Sequence, residues 1–136
     1  KQLEAFRIPI VTEIPSTAAI LVDAIFGFSF SGPPVRDPFP SLIRAINEHP
    51  TAQTVCVDVP SGWDVNKGNI FQDVGIRSPD AVVSLSAPKL CTLALSSTCR
   101  HYVGGRFVPP ILCEELGFEL PHYPDTSPIV LLQNST

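Results

Sequence analysis

The 136 residues fit one domain or a large part of one, with 44% hydrophobic and 16% charged residues, a balance that favours a packed core over disorder. A net charge of -4 argues against a broad nucleic-acid surface, and no apolar run approaches the roughly 18 residues of a membrane span. The 15 prolines cluster between apolar runs, so they punctuate elements rather than fill a disordered tract.

Lys1 to Phe6 read as the end of a helix stopped before Pro9, and Pro9 and Pro15 bracket a short extended piece. Ala18 to Ile25 is the first strand, a near-continuous apolar run of the kind found in sheets covered on both faces. Asp23 lies inside it. A lone buried carboxylate is costly, so Asp23 needs a hydrogen-bond partner or a cation. Gly27 to Pro34 is a loop with two glycines and two serines, which lets backbone donors approach a phosphate. It matches neither the dinucleotide fingerprint nor the P-loop. Its phenylalanines can flank a flat ring or pack.

Asp37 is placed to cap a helix with Pro38 at its first position. Phe39, Leu42, Ile43 and Ile46 follow at helical spacing, and the helix ends near His49-Pro50. Thr54 to Val59 is the second strand, and Asp58-Val59-Pro60-Ser61-Gly62 closes it with a carboxylate, a hydroxyl and a turn. Strand, helix, strand with short links predicts a parallel βαβ unit. Ligands of such sheets bind beyond the carboxyl ends of the strands, where Asp23 and Asp58 would share one edge. There Asp58 can cap backbone N–H groups or act as a general base. Asp23, Ser61 and carbonyls freed at the strand ends can form an all-oxygen site for a hard cation.

Pro60 to Pro79 is a long polar loop of the kind that carries function. Trp63 and Asp64 in it are expected at the mouth of a pocket. Ala81 to Leu85 is the third strand. Lys89 to Leu95 is a short helix; Lys89 can be a substrate-facing cation, but a solvated lysine is the commoner case. Arg100 to Val103 and Arg106 to Val108 suggest a hairpin about Gly104-Gly105. Pro110 to Leu116 is a short helix with Gly117 at its C-cap. Tyr123 to Thr136 is a tail expected to lie over the surface or fray. Cys56, Cys91, Cys99 and Cys113 form no C-x-x-C pair; Cys56, in an apolar run, reads as a small core residue, and the setting as reducing. His49, His101 and His122 show no ligand spacing and receive no role. The chain contains no Met and opens with Lys1, so position 1 is read as an internal point of a longer protein.

Several stretches together resemble one family. They are Val22-Asp23-Ala24-Ile25-Phe26-Gly27-Phe28-Ser29-Phe30, Asp58-Val59-Pro60-Ser61-Gly62-Trp63-Asp64-Val65, Pro79-Asp80 with Ser84-Leu85-Ser86-Ala87-Pro88-Lys89, His101 to Pro109, and Leu120 to Thr126. In this order they resemble the NAD(P)H-hydrate epimerases of the YjeF N-terminal domain family, with the stand-alone eukaryotic branch, also known as apolipoprotein A-I-binding protein, nearest. The resemblance implies an α/β fold, a Rossmann-like three-layer α/β/α architecture with a mainly parallel sheet. It implies interconversion of the R and S epimers of hydrated NADH and NADPH, so that an S-specific dehydratase can repair them. Asp23 and Ser61 would ligate a potassium ion. Asp58 would be the acid/base group facing the hydrated ring. Gly27, Phe28, Ser29, Phe30, Ser31, Gly32 and Pro33 would hold the phosphate-bearing part of the substrate.

The family's Asn-Asn-Gly-Gly-Asp motif is absent and would lie upstream of Lys1, so residues 1–136 are read as the C-terminal portion of a single epimerase domain. The family loop is also expected to be one residue shorter than Gly32-Pro33-Pro34-Val35-Arg36, with an acidic residue in place of a proline. Each proline removes a backbone donor there. The alternatives are a non-catalytic scaffold on the same fold and a protein-interaction domain. The partners implied are the hydrated dinucleotides, a homodimer and apolipoprotein A-I, with no nucleic acid and no membrane. The implied setting is intracellular, mitochondrial or cytoplasmic, with a secreted form as well.

Overall fold

The computed structural model describes residues 1–72 and 74–132. Its elements are α1 (Gln2–Ala5), β1 (Ile20–Asp23), α2 (Phe39–Asn47), β2 (Gln53–Val57), β3 (Ala81–Leu85), a 3-10 helix (Leu90–Ala94), β4 (Arg100–Gly104), α3 (Pro110–Leu116) and β5 (Ile129–Leu131). The five strands form one sheet in the order β1-β2-β3-β4-β5. The first four are parallel and β5 is antiparallel to β4.

The register aligns Asp23 with Cys56, Cys56 with Val82 and Val82 with His101, one row across one face of the sheet. All four are buried. Ile43 and Ile46 of α2 pack on this face with Cys56, Ile76, Val82 and Cys99. Burying each isoleucine contributes about 1.5–3 kcal/mol, which is why the apolar stripe of α2 faces inward. The opposite face is more open: Val22 is 62% exposed, and Val55, Val57, Val83 and Tyr102 are half-buried.

β2 stops at Val57, two residues before the expected end, because Asp58 takes a left-handed conformation with φ 71°. The chain turns there, and Val59 leaves the sheet for a second core cluster with Trp63 and Cys91. Trp63 is therefore a core residue and not a wall of the pocket mouth: it is buried and its indole N–H donates to the Ile76 carbonyl at 2.6 Å. The long loop is held by specific bonds. Asn47 donates to the Gly75 carbonyl and accepts from Arg77 N–H, both at 2.9 Å. At Gly62 the loop passes so close to itself that a Cβ would lie 2.3 Å from the Val74 carbonyl oxygen. Only glycine fits that φ of 82° and that approach.

Four expectations change. Asp37 is exposed and makes no cap: α2 begins at Phe39 without a side-chain cap bond, and Ser41 Oγ donates to the Pro38 carbonyl instead. Arg106–Val108 forms no strand. Arg106 folds over the Tyr123 ring at 5.1 Å and donates to the carbonyls of Asp125 and Ser127. That clasp returns the tail to the sheet, and Ile129–Leu131 takes the edge of β4 that the expected hairpin would have used. The tail thus supplies a strand rather than a surface cover; its residues 133–136 lie outside the described part. The segment expected as a helix from Lys89 is the 3-10 turn Leu90–Ala94.

Candidate active site

The carboxyl ends of β1, β2 and β3 bring Asp23, Asp58, Ser61 and Lys89 to one edge. Asp23 has no exposed surface. Its Oδ2 accepts from Ser61 N–H at 2.7 Å, and its Oδ1 accepts from Ser61 Oγ at 2.6 Å and from Ile25 N–H at 3.4 Å. Ser61 Oγ in turn accepts from Phe26 N–H at 2.9 Å. These bonds answer the cost of burying the carboxylate. The same burial pushes the neighbouring Cys56 thiol up, first by desolvation and then by the Asp23 charge, so Cys56 is an inert core thiol.

Asp58 directly follows the last residue of β2. Its Oδ2 accepts from Phe28 N–H at 3.1 Å, and its Oδ1 accepts from Leu85 N–H at 3.4 Å and from the Lys89 ammonium. Lys89 is not the solvated lysine expected: its side chain is 15% exposed, that of Asp58 is 16%, and its Nζ also donates to the Leu85 carbonyl at 2.7 Å. No periodicity reveals a pairing across 31 positions of sequence; the signal was the Ala87-Pro88-Lys89 turn directly after a strand.

The Gly27 loop is thus pinned at alternate residues, Phe26 N–H by Ser61 and Phe28 N–H by Asp58. Its phenylalanines divide. Phe30 stacks on Phe26 with centroids 5.1 Å apart, and Phe39 meets Phe26 edge-on. Phe28 is 63% exposed. Two clefts flank the loop. One, of about 410 Å³, is lined by Gly27, Ser29, Phe30, Ser31, Gly32 and Arg36 among others. The second, of about 400 Å³, lies over the end of β3 and is lined by Phe28, Asn66, Ser86 and Lys89 among others. Phe28 therefore faces a different hollow from the rest of the loop. Pro33 lies in neither; it borders Ile70 and Phe71. Asp64 holds a tight turn, accepting from the N–H groups of Asn66 and Lys67 at 2.9 Å each, and those bonds lower its carboxyl below the usual range.

Among the described residues no three His, Cys, Asp or Glu side chains gather as a metal site. A hard monovalent cation needs no such cluster. Asp23 offers a buried carboxylate that pairs with no basic side chain among the described residues, next to a hydroxyl and the carbonyls of the strand ends. That all-oxygen donor set fits potassium in kind.

The sequence profile described as "YjeF-related protein N-terminus" matches residues 1–91, two-thirds of the chain. The chain belongs to this family. Among its curated relatives, NAD(P)H-hydrate epimerase of Fusarium vanettenii is 42% identical over 139 residues, covering 99% of this chain and 57% of that protein. NAD(P)H-hydrate epimerase of Caenorhabditis briggsae is 39% identical, covering 98% of this chain and 57% of that protein. Pyridoxine/pyridoxamine 5'-phosphate oxidase 1, chloroplastic, of Arabidopsis thaliana is 43% identical over 93% of this chain, but the match occupies only 26% of that protein, so the oxidase name is not carried over. The crystal structure of yeast ynu0 superposes with a TM-score of 0.76 and 42% identity, covering 84% of this chain and 46% of that one. The chain spans about half the length of the epimerase relatives it matches. The YjeF-related fold and the α/β architecture with a mostly parallel sheet agree with the expectation from the sequence.

Proposed function

We propose that the protein containing this chain is an NAD(P)H-hydrate epimerase, an isomerase that interconverts the R and S forms of hydrated NADH and NADPH. The single observation that carries the reading is the placement of Asp58: a carboxylate at a strand end, held in a left-handed turn beside a loop whose backbone it binds. Inverting a carbinol centre needs a group that takes the hydroxyl proton while a ring bond opens, and returns it once the bond has closed on the other face. Asp58 is that group. The electron pair that leaves with the ring bond returns with it, so proton and electrons balance and no co-reactant is needed.

The phosphate-bearing half of the substrate lies against Gly27, Ser29, Ser31 and Gly32, where Arg36 adds a positive charge. The hydrated ring lies on the Phe28 side, within reach of Asp58. Phe30 shapes this seat through its stack on Phe26, and Pro33 sits behind it. Asp23 and Ser61 would hold a potassium ion, which would supply fixed positive charge beside the buried carboxylate. A scaffold would not require a carboxylate, a lysine and a hydroxyl gathered at one sheet edge. Nothing in this geometry favours apolipoprotein A-I binding or a homodimer, and neither belongs to the proposal. Among the described residues no helix is long and apolar enough to cross a membrane. The four unpaired cysteines support a reducing, intracellular setting, cytoplasmic or mitochondrial.

The test is conversion of R-configured hydrated NADH by the whole protein, coupled to an S-specific dehydratase at low and high potassium. Fast conversion that rises with potassium is expected. A folded protein with no conversion at either concentration would sink the reading in favour of a scaffold.

A further inference from the structure

Asp58 and Lys89 meet at the ends of neighbouring strands, on backbone that ordinary residues avoid. Asp58 has φ 71° and Ser86, three residues before Lys89, has φ 66°. Left-handed conformations are unfavourable for a non-glycine residue and persist where the surroundings over-determine them. Asp58 N–H donates to the Val83 carbonyl at 2.8 Å and Ser86 N–H to the Gly104 carbonyl at 3.0 Å, so both turns are fastened to the sheet.

A lysine on an open surface gains little from one ion pair, because screening and rotamer entropy offset it. Lys89 is different. Its ammonium has two acceptors, Asp58 Oδ1 and the Leu85 carbonyl, and both partners of the pair are mostly buried. A carboxylate has about four lone-pair positions. Oδ1 of Asp58 uses two, for Lys89 and for Leu85 N–H. Oδ2 uses one, for Phe28 N–H. Among the described residues one acceptor position is left, on Oδ2. Gly27 also borders this oxygen: a Cβ added there would lie 3.3 Å from it.

We propose that Lys89 is a positioning residue, which locks Oδ1 of Asp58 and leaves one lone pair of Oδ2 as the proton acceptor offered to the substrate. This rests on the epimerase reading of the site. Lys89 keeps its own proton throughout; the proton that moves passes from the substrate hydroxyl to Oδ2 and back. A rotated carboxylate would still bind substrate, but its acceptor would point elsewhere.

The experiment compares Lys89→Met, Lys89→Arg and Asp58→Asn in the whole protein. Misplacing a reacting group by about 1 Å costs on the order of a hundredfold, so Lys89→Met is expected to lower kcat by roughly ten- to a hundredfold while KM moves by less than about threefold. Lys89→Arg, which keeps the charge, recovers most of the lost rate. Adding Lys89→Met to Asp58→Asn has no further effect, because the two act as one unit. A second readout does not depend on activity. The Phe28 amide reports on Oδ2 directly, and its hydrogen-exchange protection is expected to fall about tenfold in Lys89→Met and to persist in Lys89→Arg, while the amides of β3 and β4 keep theirs. A kcat within about twofold of wild type in Lys89→Met, or unchanged Phe28 protection, overturns the proposal. If the wild type converts no substrate, the epimerase reading fails, and Phe28 exchange still decides whether Lys89 positions Asp58.

Discussion

The missing side chain at Gly27 matters because of what stands beside it. Its φ is not in the left-handed region, so alanine is allowed by the backbone, yet the added Cβ would sit 3.3 Å from Oδ2 of Asp58. That is a tight contact with the one oxygen that has an acceptor position left. Gly27→Ala is therefore expected to leave the melting temperature nearly unchanged and to lower kcat by about tenfold or more, since it crowds the reacting oxygen and little else. A large drop in melting temperature with kcat intact would contradict this. At this scale the sequence was informative where a polar group interrupted an apolar run. Asp23, Asp58 and Ser61 were legible because a strand end has no other need of them. Lys89 was not legible: its partner is 31 residues away, and the turn at Asp58 that aims the carboxylate toward it leaves no mark in the apolar pattern. Trp63 misled for the opposite reason. An aromatic in a polar loop reads as exposed until the loop is seen to fold onto a core of its own.

The elements follow burial and local backbone chemistry. The strands β1 to β3 and the helix α2 were readable from continuous apolar runs and from a stripe at helical spacing. Their ends were less so, because tertiary contacts set them: β2 ends where Asp58 turns, and α2 starts past the aspartate that seemed to cap it. β5 was missed because three residues, Ile129–Leu131, carry almost no pattern of their own, and the clasp of Arg106 on Tyr123 that returns them is a tertiary contact. β4 carries a titration within the core. His101 lies buried on the packed face, its Nε2 2.9 Å from Ser84 Oγ, and burial pushes its pKa below the ordinary 6.5. A histidine held neutral by the fold binds fewer protons than in the unfolded chain. Its contribution to stability is therefore full above about pH 6.5 and is lost as the pH falls below that value. Wild type is expected to melt at lower temperature at pH 5 than at pH 7.5, and His101→Gln to show a smaller difference. An equal slope in both proteins would show that other groups set the acid limit.

For the whole molecule, the packed face and the open face differ in kind. Asp23, Cys56, Val82 and His101 make one buried row beneath α2, whereas Val22 and its neighbours on the other face are half-buried or exposed. All the polar groups of the site gather at the carboxyl edge, the place that the topology of a parallel sheet makes available. One aspartate there is wholly buried and satisfied by Ser61; the other is held at the strand end by Phe28 N–H, Leu85 N–H and Lys89. On the proposed reading the two carboxylates divide the labour, Asp23 structural or cation-bearing and Asp58 reactive. The most direct test of that division is Asp58→Asn in the whole protein, with conversion of hydrated NADH and binding of NADH measured on the same preparation. The amide keeps the size and one of the two acceptor oxygens but cannot take a proton. Conversion is expected to fall by about 10²–10⁴-fold with binding within about threefold of wild type. Conversion that survives the substitution would contradict the account, and place the reacting group elsewhere in the molecule.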